Sequence, residues 1–273
     1  MNWNKAKTIL IIAFILLNTF LIYSIYENNI ENYEGLDESF IKKVESSLLD
    51  KNILIDADVP KEIYKMPLLE VEYRIFQKDD VEDYLGENYE EKIEDEYFVK
   101  NDGSYIRIEN NKKLIYNIRD VKGNLNIDEE DGLRFIEKYV ENNDINLEKY
   151  ELDLKITKEN LFIFIYKRIY DNKTLENDYY KFIVDNEGVA GLERQNIKTI
   201  EAKEGLIYVT TAYESLLRLK NEGNAKRTIK KVEISYYTDE NSSEWVNIVR
   251  ANMDPTWKVV FDDGNIKYLI ETE

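Results

Sequence analysis

Between Thr8 and Tyr26 the chain reads TILIIAFILLNTFLIYSIY, a run of nineteen residues without a charge. At ~1.5 Å per residue a helix of that length covers most of a ~30 Å hydrocarbon core, so residues 8–26 predict a single membrane span. Lys5 and Lys7 precede the run, while Glu27, Glu31 and Glu34 follow it. The positive-inside tendency makes the two lysines topology determinants. Residues 1–7 become a cytoplasmic stub, and everything after Tyr26 becomes extracytoplasmic. A cleaved signal peptide would leave through small residues, whereas the exit here, LIYSIYENN, is bulky, and without cysteine no lipobox exists. A buried helix of a soluble domain would carry a polar stripe, but only Asn18, Thr19 and Ser24 interrupt the apolar run. The expectation is an uncleaved anchor in the cell membrane.

The rest of the 273 residues must fold with what composition allows. At 43% hydrophobic and 12% aromatic the chain can fill a core, which argues against wholesale disorder. The formal charge is −18, and the first 26 residues contribute only lysines to it, so the part beyond the anchor is strongly acidic. Such a surface repels nucleic acid and anionic headgroups and removes both as partners. Histidine and cysteine are both absent. Disulfides, thiolate nucleophiles, Ser–His–Asp arrangements and imidazole zinc sites go with them, and no cofactor motif takes their place.

The pattern along the chain predicts an α+β fold, with antiparallel sheets and packed helices after the anchor. Asp37 caps a helix to Leu49 that puts Phe40, Ile41, Val44 and Leu48 on one face. Leu69, Val71, Tyr73 and Ile75 alternate with charged residues as in a half-buried strand. A short helix at 81–85 and strands at 97–100, 105–108 and 114–118 complete an N-terminal lobe, 27–122, with Asp102-Gly103 as a hairpin turn. The C-terminal lobe, 123–273, reads as two related units, about 125–200 and 205–273, each a helix plus four strands. Asp128 caps the first helix, which runs through Leu133, Ile136 and Val140; strands follow at 151–157, 161–170, 179–184 and 189–195. Thr211 and Glu214 form a capping box on the second helix, with strands at 232–238, 245–252, 257–261 and 266–270. The units end alike, in YYKFIVDNEGVAGLE and TWKVVFDDGNIKYLIE.

Chemistry-bearing patterns are weak. Ser39-Phe-Ile-Lys42 fits S-x-x-K, but the companion elements of penicillin-binding enzymes are missing. Asp79-Asp80, Glu129-Glu130 and Asp262-Asp263 are carboxylate pairs of the type a wall-active hydrolase would need. Asp171 to Asp178 alternates oxygen-bearing side chains but lacks the glycine and terminal glutamate of an EF-hand loop. No catalytic, cofactor-binding or metal-binding residue emerges, and the chain reads as a non-enzyme.

The opening WNKAKTILIIAFILLNTFLIY, the segments YESLLRLKNEG and KVEISYYT, and the final MDPTWKVVFDDGNIKYLIE resemble the YycI (WalI) family of low-GC Gram-positive bacteria, relatives of YycH proteins. That resemblance implies one N-terminal span and an outer α+β portion. It also implies a role in binding the WalK (YycG) sensor histidine kinase together with a YycH-type partner, through membrane-helix contacts, in the control of cell-wall metabolism. Within the span, Phe14, Leu17, Asn18 and Leu21 share one helical face. An amide in lipid gains ~0.6–2 kcal/mol from a partner helix, so these four residues are the expected contact stripe. Two other readings are a wall-active hydrolase using paired carboxylates and a bitopic scaffold of the wall or division machinery.

Overall fold

The computed structural model describes residues 3, 7, 11–21, 36–86, 88–92, 97–221, 226–241 and 245–270. Residues 11–21 of the expected span are helical (α1), and every one of these side chains is exposed. Among the described residues no helix is long and apolar enough to cross a membrane. The remaining parts of the expected span, residues 8–10 and 22–26, lie outside the described residues.

Local signals set most elements of the globular part. Asp37 caps α2 (Glu38–Leu49) by accepting the Ser39 amide at 3.1 Å, and Ile41, Val44 and Leu48 are buried as their spacing requires. Strands β1 (Ile53–Ile55), β2 (Lys65–Met66) and β3 (Leu69–Tyr73) follow, β3 with strict alternation of burial. Helix α3 (Lys78–Leu85) leads to a meander of β4 (Glu90–Lys92), β5 (Tyr97–Val99), β6 (Tyr105–Glu109) and β7 (Lys113–Asn117). The turn between β5 and β6 falls on Asp102-Gly103, where Gly103 takes a φ of +90° that a side chain would resist.

Helix α4 (Glu129–Asn142) starts at Asp128, whose carboxylate accepts the Asp131 amide at 2.9 Å, and Glu129, Glu130 and Asp131 lie at the positive end of its dipole. Asp128→Ala should lower stability by about 1 kcal/mol, read as an earlier urea midpoint at unchanged slope. Strands β8 (Tyr150–Thr157), β9 (Phe162–Tyr170), β10 (Lys173–Asp185), β11 (Gly188–Gln195), β12 (Ile197–Ala202) and β13 (Ile207–Tyr208) come next. The capping box at Thr211 and Glu214 forms, and α5 (Ala212–Leu216) passes into a 3₁₀ turn at Leu217–Asn221. The chain closes with β14 (Arg227–Tyr237), β15 (Arg250–Phe261) and β16 (Ile266–Leu269).

The second unit therefore carries three strands rather than the expected four. Trp245–Asn247 is a 3₁₀ turn, and one long β15 replaces the strands placed at 245–252 and 257–261. Pro255 falls between those two expected strands and sits where β15 changes neighbours. Residues 250–253 pair with β3 and 257–260 with β16, so on that side no partner asks for its missing N–H. Both hairpins with related sequences do form, β10–β11 and β15–β16.

Among the described residues a fourteen-stranded sheet follows the path β12-β3-β15-β14-β10-β11-β7-β6-β5-β4, with β1 beside β14, β16 beside β15, β9 beside β10 and β8 beside β9. Its pairing is antiparallel except at β1–β14 and the single β10–β14 bridge. The sheet crosses the boundary drawn at residue 122, because β7 pairs with β11 and β3 pairs with β12 and β15. Three apolar clusters cover it. The largest joins α2 and α5 to β3, β14 and β15 around Trp257; another packs α3 on the meander, and a third packs α4 on β9 to β11.

Candidate functional site

Strand β10 breaks register with β9 once. Leu175 pairs with Arg168 of β9 and Tyr179 with Lys167, so Glu176, Asn177 and Asp178 bulge out of the ladder. At the same point β10 leaves β14, bridged at Leu175 and Tyr236, and takes up β11. A bulge frees residues to be aimed away from the sheet's ordinary alternation. Here all three are polar and buried, and each enters a different network.

Glu176 meets Lys167 and Lys258 (3.3 Å) and accepts the Tyr268 hydroxyl at 2.7 Å. Lys258 also donates to both oxygens of Asp153 (2.6 and 2.7 Å) and lies 3.1 Å from Glu233. Three of these groups come from β8, β9 and β10 and three from β14, β15 and β16, so the cluster ties the two halves of the sheet. Burial pulls the Lys258 ammonium toward neutrality, but Glu176, Asp153 and Glu233 outweigh it and hold its pKa above the usual lysine value. For Asp153, burial pushes upward and the two lysines win, leaving its carboxyl below the ordinary range. Lys258 is thus a fixed cation, unsuited to act as a neutral nucleophile or base.

Asn177 clamps the end of β14: its amide donates to the Thr238 carbonyl (3.0 Å) and accepts the Thr238 N–H (2.8 Å). Asp178 accepts hydrogen bonds from Tyr150 (2.7 Å) and Asn196 (3.3 Å) and pairs with Arg168 at 3.2 Å. Burial dominates at Asp178 and raises its pKa despite those partners. Asn196 in turn accepts from Arg194 Nε (2.7 Å), and Arg194 Nη1 donates to the Tyr84 hydroxyl (2.8 Å). A continuous line of polar side chains therefore leads from the bulge to the surface. It ends between two adjoining clefts of about 580 and 450 Å³ that share Arg74, Tyr180 and Arg194.

Elsewhere the acids hold caps and turns. Asp80 accepts the Gln77 amide at α3 and pairs with Arg74; Glu129 pairs with Lys155; Asp262 accepts from Thr228 and Asp263 from Asn265. Ser39 donates its hydroxyl to Asp37 at the α2 cap. Asp171 and Asn172, both at positive φ, form the two-residue β9–β10 hairpin turn, and among the described residues no cluster of three or more acids is placed to hold a metal ion. Near the start of β11, Arg119 grips Asp185 through both guanidinium ends. Burial raises the Asp185 carboxyl, but Arg119 and the Glu187 amide bring it below 3.8. A carboxylate depressed in this way adds stability above its ordinary pKa and loses it as pH falls through the folded value. Asp185→Asn should therefore flatten the stability curve between about pH 5 and pH 3, as measured by urea midpoints at each pH.

Of the sequence-predicted contact residues, Phe14, Leu17, Asn18 and Leu21 all lie on α1 and are exposed. Lys7 sits 5.4 Å from the Trp3 ring, and Lys5 lies outside the described residues. The bulge was not foreseen. Its traces in sequence are a Glu-Asn-Asp triplet before the apolar run of β10 and a lone lysine in TWKVVF.

The sequence model of the YycI protein family matches residues 32–271. The chain belongs to the YycI family. Among solved structures, YycH from Bacillus subtilis superposes with a TM-score of 0.57 at 10% identity, covering 78% of this chain and 54% of YycH. The chain thus spans about half the length of that structure, and at this identity the likeness is one of fold. An uncharacterized protein from Eubacterium rectale gives 0.47 at 12% identity, covering 85% of this chain and 93% of the other. The YpeB C-terminal domain of Bacillus megaterium gives 0.35 at 12%, covering 87% and 99%. No curated protein matches the chain.

Proposed function

We propose that this YycI protein is a membrane-tethered, non-catalytic accessory regulator of a WalK (YycG)-type sensor histidine kinase. It acts with a YycH-type partner, and its bulk lies outside the cell membrane. The observation that carries the reading is α1. A helix apolar all round belongs in a core or in lipid, and this one has exposed isoleucine, leucine and phenylalanine on every side. Membership of the YycI family and the fold shared with YycH support the choice of system. Asp80, Glu129, Asp262 and Asp263, from the three carboxylate pairs, are committed to caps, turns and ion pairs, which weighs against a hydrolase.

The test is photo-crosslinking in living cells from positions 14, 17, 18 and 21, with positions 12, 16 and 20 as controls on other helix faces. The expected result is capture of the kinase and the YycH-type protein from the first set and little from the second. Equal capture around the helix, or none of either partner, would count against the reading.

A further inference from the structure

Buried cations in this protein are matched almost everywhere. Lys167 and Lys258 have carboxylates, Arg168 has Asp178, and Lys112 points its ammonium at the carbonyls of Asn110 (3.1 Å), Trp245 (2.5 Å) and Val246 (3.2 Å). Arg194 differs. It is 9% exposed, yet among the described residues no carboxylate lies within ion-pair distance of it. Its neighbours are neutral: Asn196 on Nε, Tyr84 on Nη1, and the rings of Tyr180 and Phe76 at 5.0 and 5.4 Å. Nη2 donates no hydrogen bond to any described residue, and Arg194 lines both clefts. Lys112 too has no carboxylate, but three carbonyls take its ammonium, whereas one end of the Arg194 guanidinium has no acceptor among the described residues.

Burying an unpaired charge is costly unless something else completes it. A second guanidinium frames the same opening. Arg74 stacks on Phe76 at 5.4 Å, pairs with Asp80 and also lines both clefts. Tyr150, Tyr180, Asn196, Lys198 and Glu72 line the first cleft, and Asp80, Asp83 and Asp144 line the second. The opening is a recess rather than a flat face, which suits a small molecule. We infer that the groove between Arg74 and Arg194 binds a small organic anion whose carboxylate or phosphate group docks on Arg194, with Arg74 closing over it from Asp80. The inference is independent of the membrane reading and stands or falls without it.

The test uses the full-length chain in detergent micelles, titrated separately with citrate and with inorganic phosphate at constant ionic strength, with binding followed by calorimetry. The expected result is saturable one-site binding of at least one probe; the preferred probe tells carboxylate from phosphate. Arg194→Gln should abolish it, and Arg74→Gln, a change at a half-exposed residue, should weaken it about tenfold, or ~1.4 kcal/mol. Unbound thermal melts of both variants check folding, and Arg74→Gln keeps the question decidable if Arg194→Gln unfolds. No saturable binding of either probe, or binding unchanged by Arg74→Gln, would overturn the inference.

Discussion

Replacing Lys258 with methionine should destabilise the folded protein by about 3–5 kcal/mol, an effect confined to few positions in any domain. The side chain is 1% exposed and lies among Asp153, Glu176 and Glu233, which Lys167 and, at Glu233, the more exposed Lys231 would then offset only in part. Methionine fills the volume but leaves buried carboxylates facing one another. Two features distinguish this from lost packing. Adding Asp153→Asn and Glu176→Gln to Lys258→Met should recover part of the loss, because the cost lies in the orphaned charges rather than in the missing pair. The penalty of the single variant should also shrink as pH falls toward about 4, where the orphaned acids can take up protons. Lys230→Met, at an exposed pair with Asp56, should leave the urea midpoint almost unchanged. Urea unfolding of the full chain in detergent, followed by circular dichroism, measures all three variants. A Lys258→Met loss no larger than that of Lys230→Met would mean that the cluster does not join the two halves of the sheet.

Such a cluster could not be read from the sequence, and the reason is instructive. Caps and turns are local: Asp37, Asp128, Thr211 with Glu214, and Asp102-Gly103 each announce an element within four residues, and each forms. Alternation located β3, and strand-like runs located β5, β6 and β7 but not the short β4. What local signals miss is where a strand changes partners. The strands expected at 245–252 and 257–261 are replaced by one β15, in which Pro255 is tolerated because a second neighbour is absent just there. Glu176, Asn177 and Asp178 read as a polar loop because three hydrophilic residues in a row contradict a strand. Their burial depends on Lys258, Thr238 and Asn196, up to 82 residues away along the chain. The sheet is thus shaped by two departures from simple pairing, and the polar line to Arg194 exists because of one of them.

Exchanging residues 8–26 for an unrelated apolar span of equal length should leave the protein in the membrane and abolish recovery of the kinase with it. Hydrophobic length suffices for anchoring, since any ~20 apolar residues satisfy the bilayer. Length carries no partner identity. Between helices in lipid, discrimination comes from side-chain packing and from polar groups that find each other, because no hydrophobic driving force remains to favour one neighbour over another. Asn18 is the polar group available, and Phe14, Leu17 and Leu21 complete its face. Asn18→Leu alone should therefore lower co-purification several-fold, consistent with ~0.6–2 kcal/mol for an interhelical hydrogen bond, while the full exchange removes packing as well and goes to background. Fractionation verifies the anchor, and quantitative pull-down from solubilised membranes measures the partner. If the exchanged protein still recovered the kinase at the native level, specificity would reside in the globular part. The surfaces to examine would then be those around the β10 bulge and the cleft it feeds.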